Sequence, residues 1–182
     1  MKLRRLALPI IAAAAVTGLS ACGDDGPQKV AESEGTSVTI GKLEYQVQIS
    51  RQLNPTDVED RDYLQGVPPV QEDLKPEDVW FGIFIRVKNP SDQTLETAEE
   101  FTLEDTIDDE YRPIETTSIV GYKPTTLTPG DLFPHSNETS AYGPTQGKLL
   151  LFKLTNETLD NRPLELKITA PDGDEGDIRI DV

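Results

Sequence analysis

The 182-residue chain has one cysteine, one histidine, one tryptophan and one methionine. A single cysteine leaves no intramolecular disulfide, so the fold stands on its core alone. A single histidine excludes the His-rich or Cys/His sets that hold zinc. Cations are scarce: 17 Lys and Arg stand against 33 Asp and Glu, a formal net charge of −16. Such a surface repels phosphate backbones, which argues against nucleic acid as a partner. Helical apolar periodicity is missing throughout. No apolar run is long enough to span a bilayer comfortably, since that takes about 20 residues.

What the chain has is concentrated at its start. Met1 to Arg5 carry Lys2, Arg4 and Arg5 with no acid, and Leu6 to Leu19 is apolar and small. That is the build of a secretory signal. The lone cysteine follows at once, in Leu19-Ser20-Ala21-Cys22. These four residues resemble the lipobox of bacterial lipoproteins. The resemblance implies that the Cys22 thiol is joined to diacylglycerol, that residues 1–21 are removed, and that the chain is held at the extracytoplasmic face of a cell membrane. Each buried methylene contributes roughly 0.8 kcal/mol, so two or three acyl chains anchor stably where one does not. Cleavage removes three cations and no acids, leaving 14 cations against 33 anions over 161 residues, or −19 formally. Residues 22–35 are small and polar and read as a flexible tether, with a reach of roughly 20 Å by random-coil scaling.

From Gly35 onward the period is two. "LEYQVQI" places Leu43, Tyr45, Val47 and Ile49 on one face. "VWFGIFIRVK" places Val79, Phe81, Ile83, Ile85 and Val87 on one face, with Trp80 and Phe84 on the other. The spacing predicts further strands at 38–40, 101–105, 147–154, 163–169 and 177–182, the last two joined by the turn "PDGDEG". "ETAEEF" at 96–101 allows at most one helical turn. Seven to eight short strands with one polar face each predict an all-β, immunoglobulin-like antiparallel β-sandwich over 36–182. The Cys–Trp–Cys pin of antibody domains is absent, and Trp80 is expected as a core anchor.

The run from Trp80 to Glu115, with its strand ending in Val-Lys-Asn, acidic turn and Tyr111, resembles the telokin-like domains of unknown function found in Gram-positive lipoproteins. Pro129-Gly130, "KLLLFKL" and "PLELKI" continue the pattern. The resemblance covers about residues 36–170 and implies an immunoglobulin-like fold outside the cytoplasm. It supplies no catalytic residues.

Few residues suggest chemistry. His135 beside Ser136 lacks any nucleophile-elbow context. "GPTQGKL" at 143–149 falls one residue short of a phosphate loop and precedes a strand. Asp172, Asp174 and Asp177 alternate with glycines, which suits Ca²⁺ or, equally, a plain hairpin turn; no other cofactor is indicated. "EDTIDDE" at 104–110 is a weaker version. The "NET" segments at 137–139 and 156–158 match a glycosylation sequon that carries no meaning in a bacterium. The connection 51–78 is long for a sandwich. Arg61, Tyr63 and Leu64 in it suit either a partner-binding loop or a flap over a sheet. The expected function is a non-catalytic binding or scaffolding lipoprotein of the cell envelope, with an envelope protein as partner. The alternative is a structural or stress-resistance lipoprotein without a specific ligand.

The lipidation expectation is testable. Cys22→Ser is predicted to abolish incorporation of radiolabelled palmitate and to release the protein from the membrane; labelling that survives the substitution refutes it.

Overall fold

The computed structural model describes residues 26–69 and 74–180. Cys22, Val70 and Val182 lie outside the described residues. Twelve strand segments are described, of which seven have four or more residues. The long ones are β2 (Ser37–Ile40), β3 (Leu43–Leu53), β4 (Asp78–Lys88), β6 (Glu100–Glu104), β10 (Lys148–Thr155), β11 (Leu164–Thr169) and β12 (Glu175–Ile180). The short ones are β1 (Val30–Ala31), β5 (Leu95–Glu96), β7 (Glu110–Tyr111), β8 (Thr126–Leu127) and β9 (Leu132–Phe133). One sheet runs β1-β12-β11-β6-β7 and the other β10-β4-β3-β2, with β9 beside the end of β4. β5 and β8 form a separate two-stranded pair. The architecture is the all-β sandwich that the alternating pattern requires.

The inner faces carry the core. β2, β3, β4 and β10 supply Val38, Ile40, Tyr45, Val47, Phe81, Ile83, Ile85, Val87 and Phe152, all essentially unexposed. β6, β11 and β12 answer with Leu103, Leu164, Leu166, Ile168, Ile178 and Ile180. Each such side chain contributes roughly 1.5–3 kcal/mol on burial. The hairpin β11–β12 is in the expected place, with Leu166 opposite Ile178.

Two expectations need correction. Ile49 does not join Tyr45 and Val47 on the inner face. A bulge in β3 shifts the register between Val47, which faces Ile85, and Ile49, which faces Phe84. One extra residue reverses every later side chain, so the end of β3 turns its apolar groups outward. Trp80 is a core anchor as expected, buried on the outer face of its sheet in a second cluster with Leu53, Phe84, Leu149 and Leu151. Finally, the ordered body begins before residue 36. Gln28 O accepts from Thr39 N–H at 2.7 Å, Lys29 O accepts from Asp177 N–H at 2.8 Å, and β1 pairs parallel to β12. Ala31 is fully buried. This segment reads as tether because it contributes backbone to an otherwise open strand edge rather than an apolar face.

Among the described residues, two helices also appear without periodic warning: α1 (Val58–Tyr63) and α2 (Asn156–Asp160). At five or six residues they are too short to display a 3.6 period. Their caps, Asp57 and Thr155, accept hydrogen bonds from the first-turn N–H groups and are the only local signal.

With no disulfide available, two tyrosines tie the 97–99 crossing segment to the body. Ala98 N–H donates to Tyr45 Oη at 2.8 Å, and Tyr122 Oη donates to Ala98 O at 2.9 Å. Burial pushes the Tyr45 hydroxyl up to about 12, partly offset by the Ala98 N–H and reinforced by the Asp172 charge. Burial, with Tyr45 as neighbour, raises Tyr122 as well.

Because these folded values exceed the unfolded value near 10, the stability they represent is complete below pH ~10 and is lost as pH rises toward ~12. An alkaline loss of melting temperature across that window is expected. Tyr45→Phe is expected to cost about 1–3 kcal/mol by leaving the Ala98 N–H unpaired and to shrink that alkaline loss. A Tyr45→Phe protein with unchanged melting temperature refutes the role.

Candidate functional site

Part of the outer face of β3, β4 and β10 is shielded from solvent. Leu53, Trp80, Phe84, Leu149 and Leu151 are covered by α1 and the turn after it, and by the segment 114–120. Gly82 makes room for this layer: a Cβ there would stand 2.9 Å from Leu149 and 3.2 Å from Leu53.

α1 is fastened at several points. The Asp60 carboxylate is 5% exposed, forms an ion pair with Arg51, and accepts from Asn54 N–H at 2.7 Å. Burial works against its ionisation, but Arg51 and the Asn54 N–H hold it below the usual carboxylate range. Tyr63 stands edge-on to Phe84, with centroids 5.2 Å apart, and the Arg51 guanidinium lies 5.7 Å from the Tyr63 ring centre. Gly66, at φ +74°, lies so close to Thr117 that a Cβ would stand 1.7 Å from its hydroxyl. Ser118 Oγ donates to Asp62 O at 3.1 Å and Thr116 Oγ1 to Gln65 O at 2.6 Å.

Between α1 and the loop 139–147 lies a cleft of about 230 Å³ lined by Glu59, Tyr63, Phe84, Val120, Tyr142 and Pro144, among others. Tyr63 Oη donates to Glu59 at 3.3 Å, and Tyr142 Oη donates to Ser136 O at 2.6 Å. The loop is pinned where Gly147, at φ +117°, passes within contact of the β4 backbone; a Cβ there would be 2.9 Å from Ile85 N.

A second cleft of about 350 Å³ lies on the other side of the 118–121 strip, with Lys123, Thr125, Phe133, His135, Glu138 and Lys148 in its walls. Lys148 is 5% exposed. Its ammonium pairs with Glu138, donates to Ile119 O at 3.1 Å and lies 5.3 Å from the centre of the Phe133 ring. Burial raises Glu138, but Lys148 and the His135 N–H outweigh it and hold the carboxyl below its ordinary value. Removing one partner of so buried a pair leaves an uncompensated charge, which is strongly destabilising. A larger cleft of about 500 Å³ near Asp78, Asp105 and Tyr111 is lined by groups that satisfy one another. Asp78 pairs with Lys153 at 3.2 Å, Asp105 accepts from Ile107 and Asp109 N–H, and Tyr111 bonds Thr158.

The sequence candidates fall as follows. Tyr63 and Leu64 are half-buried against the outer cluster, while Arg61 is exposed; Tyr63 also walls the aromatic cleft. The three carboxylates considered for Ca²⁺ are not brought together. Asp174 pairs with Lys29 and accepts from Gly41 N–H at 2.8 Å, and Asp172 accepts from Asp174 N–H at 3.1 Å. Asp177 sits within the β12 ladder opposite Lys167, on the face away from the core, where burial and the neighbouring Glu165 raise its carboxyl. Among the described residues no group of three metal-ligating side chains is found. The acidic turn 104–110 closes on itself through Asp105, and the His135 ring packs edge-on against Phe133 rather than activating a hydroxyl. "GPTQGKL" is the cleft loop, and its Lys148 is buried in an ion pair. Lys148, Glu138 and Tyr142 were missed; the only trace is a lysine opening the apolar run "KLLLF".

No family model matches the chain, and no curated protein matches it. Solved structures do. The chain is similar to the yjhA protein of Bacillus subtilis (12% identity, TM-score 0.56, covering 82% of this chain and 99% of that one). It is also similar to a putative lipoprotein, ycdA, of Bacillus subtilis strain 168 (14% identity, TM-score 0.53, covering 82% of this chain and 39% of that one). At these identities the likeness shows a shared fold.

The fastening of α1 yields a prediction. Asp60→Asn is expected to cost about 2 kcal/mol at pH 7, lowering the melting temperature by about 4–8 °C. Because the Asp60 value is depressed, its contribution is present above the ordinary carboxylate range and fades as pH falls through it. The gap between variant and wild type is therefore expected to be smaller at pH ~3 than at pH 7, as read by thermal melts at the two pH values. A gap of equal size at both refutes the assignment.

Proposed function

We propose that this chain is a lipid-anchored, extracytoplasmic lipoprotein that acts as a non-catalytic binding module of the cell envelope. The anchor reading rests on Leu19-Ser20-Ala21-Cys22 behind a basic start and a short apolar run. The likeness in fold to a putative lipoprotein supports it. The non-catalytic reading rests on the polar groups of the clefts, whose Lys148, Glu138 and His135 backbone are committed to one another.

The observation that carries the binding reading is the placement of exposed apolar side chains. Ile119 is 82% exposed and Tyr142 62%, and of the two clefts flanking the 118–121 strip Ile119 borders one and Tyr142 the other. Leu132, 39% exposed, lines a further cleft that also contains His135 and Tyr142. Solitary exposed apolar residues are ordinary, whereas a group of them around concave surface marks an interaction site.

The test is photo-crosslinking in intact cells. A photoreactive residue at Ile119 is expected to give a discrete crosslinked species. The same residue at Glu100 or Glu175, exposed on the other sheet, is expected to give none. Equal patterns at all three positions, or no product at Ile119, overturn the proposal.

A further inference from the structure

The aromatic cleft has a chemistry of its own. Tyr63, Phe84 and Tyr142 give it three aromatic walls, and among the described residues Glu59 is its one charged lining residue. Arg51, which approaches the Tyr63 ring, is neutralised by Asp60. Aromatic faces carry negative potential and attract cations, most strongly where water is partly excluded. An anion entering here would meet Glu59 and a chain of net charge −16. A neutral apolar group would desolvate Glu59 without compensation. A cation satisfies both walls and carboxylate. The volume of about 230 Å³ lies below the roughly 300 Å³ at which small-molecule sites begin. It suits one inserted side chain.

We infer that this cleft receives a lysine or arginine side chain from an extended segment of the partner protein, with an aliphatic neighbour of that residue resting on Ile119. Val120 lines the aromatic cleft and Ile119 the adjoining one, so consecutive residues of this strip face both parts of such a segment. The long-range negative charge accelerates encounter with a basic segment and makes it salt-dependent. This inference rests on the binding-module reading and adds the chemistry of the partner.

The probe is the hexapeptide acetyl-Ser-Gly-Lys-Ile-Gly-Ser-amide, fluorescently labelled and titrated by anisotropy into the full-length chain in nonionic detergent. Glu59→Gln and Tyr142→Ala are expected to weaken binding about three- to thirtyfold, with unchanged melting temperatures because both side chains are exposed. Tyr142→Phe, which keeps the ring, is expected to bind within twofold of wild type, on the order of the small changes seen when no contact is lost. Glu99→Gln makes the same charge change at an exposed position outside the cleft and is expected to have no effect. The inference is overturned if a peptide with Gln for Lys binds equally. It is also overturned if Glu99→Gln weakens binding as much as Glu59→Gln, which would reduce the effect to net charge. Choline binding tighter than the peptide, with the same dependence on Tyr142, would make this a small-cation pocket and overturn the partner assignment. Crosslinking from Ile119 without any Lys-peptide affinity would leave the binding module standing and this inference refuted.

Discussion

β4 is apolar on both faces, and the molecule is arranged to cover it twice. Its inner residues Phe81, Ile83, Ile85 and Val87 meet the opposite sheet, and its outer residues Trp80 and Phe84 meet α1 and its flanking segments. A strand buried on both sides cannot lie at the surface of a simple two-layer sandwich. The third layer is therefore an energetic requirement of this strand. The bulge in β3 serves it by turning Ile49 and Leu53 outward beside Phe84 and Trp80.

The partial third layer creates the clefts. A complete sheet would have sealed the outer face. Here α1, the 114–122 segment and the 139–147 loop cover it piecewise. The seams between them are concave and ringed by Ile119 and Tyr142. The 114–122 segment does a second job: Ile114, Tyr122 and Val120 hydrogen-bond to Leu151 and Leu149 and close the free edge of β10. A long apolar edge strand is thereby kept from pairing with other chains.

The lack of a disulfide is met by polar bonds placed where water is excluded. Tyr45 and Tyr122 hold both backbone groups of Ala98, and Lys148–Glu138 joins the cleft loop to β10. Such bonds are modest when made and costly when broken. They specify one arrangement of loops as much as they add net stability.

The seven long strands, the hairpin β11–β12 and the two-faced character of β4 were legible in the sequence because each is written in the alternation of neighbouring side chains. So were the acidic surface and the lone cysteine behind an apolar run. The side taken by Ile49 was not legible, because a single bulge residue inverts the pattern without altering composition. Nor was the separation of Asp172 and Asp174 from Asp177: turn and ladder positions look alike in sequence but point in different directions. The cleft was the least legible of all. Tyr63 and Tyr142 are 79 positions apart, and only the need to bury Trp80 and Phe84 brings their segments to one wall. Local periodicity determined the long strands, and long-range burial decided which side chains would meet.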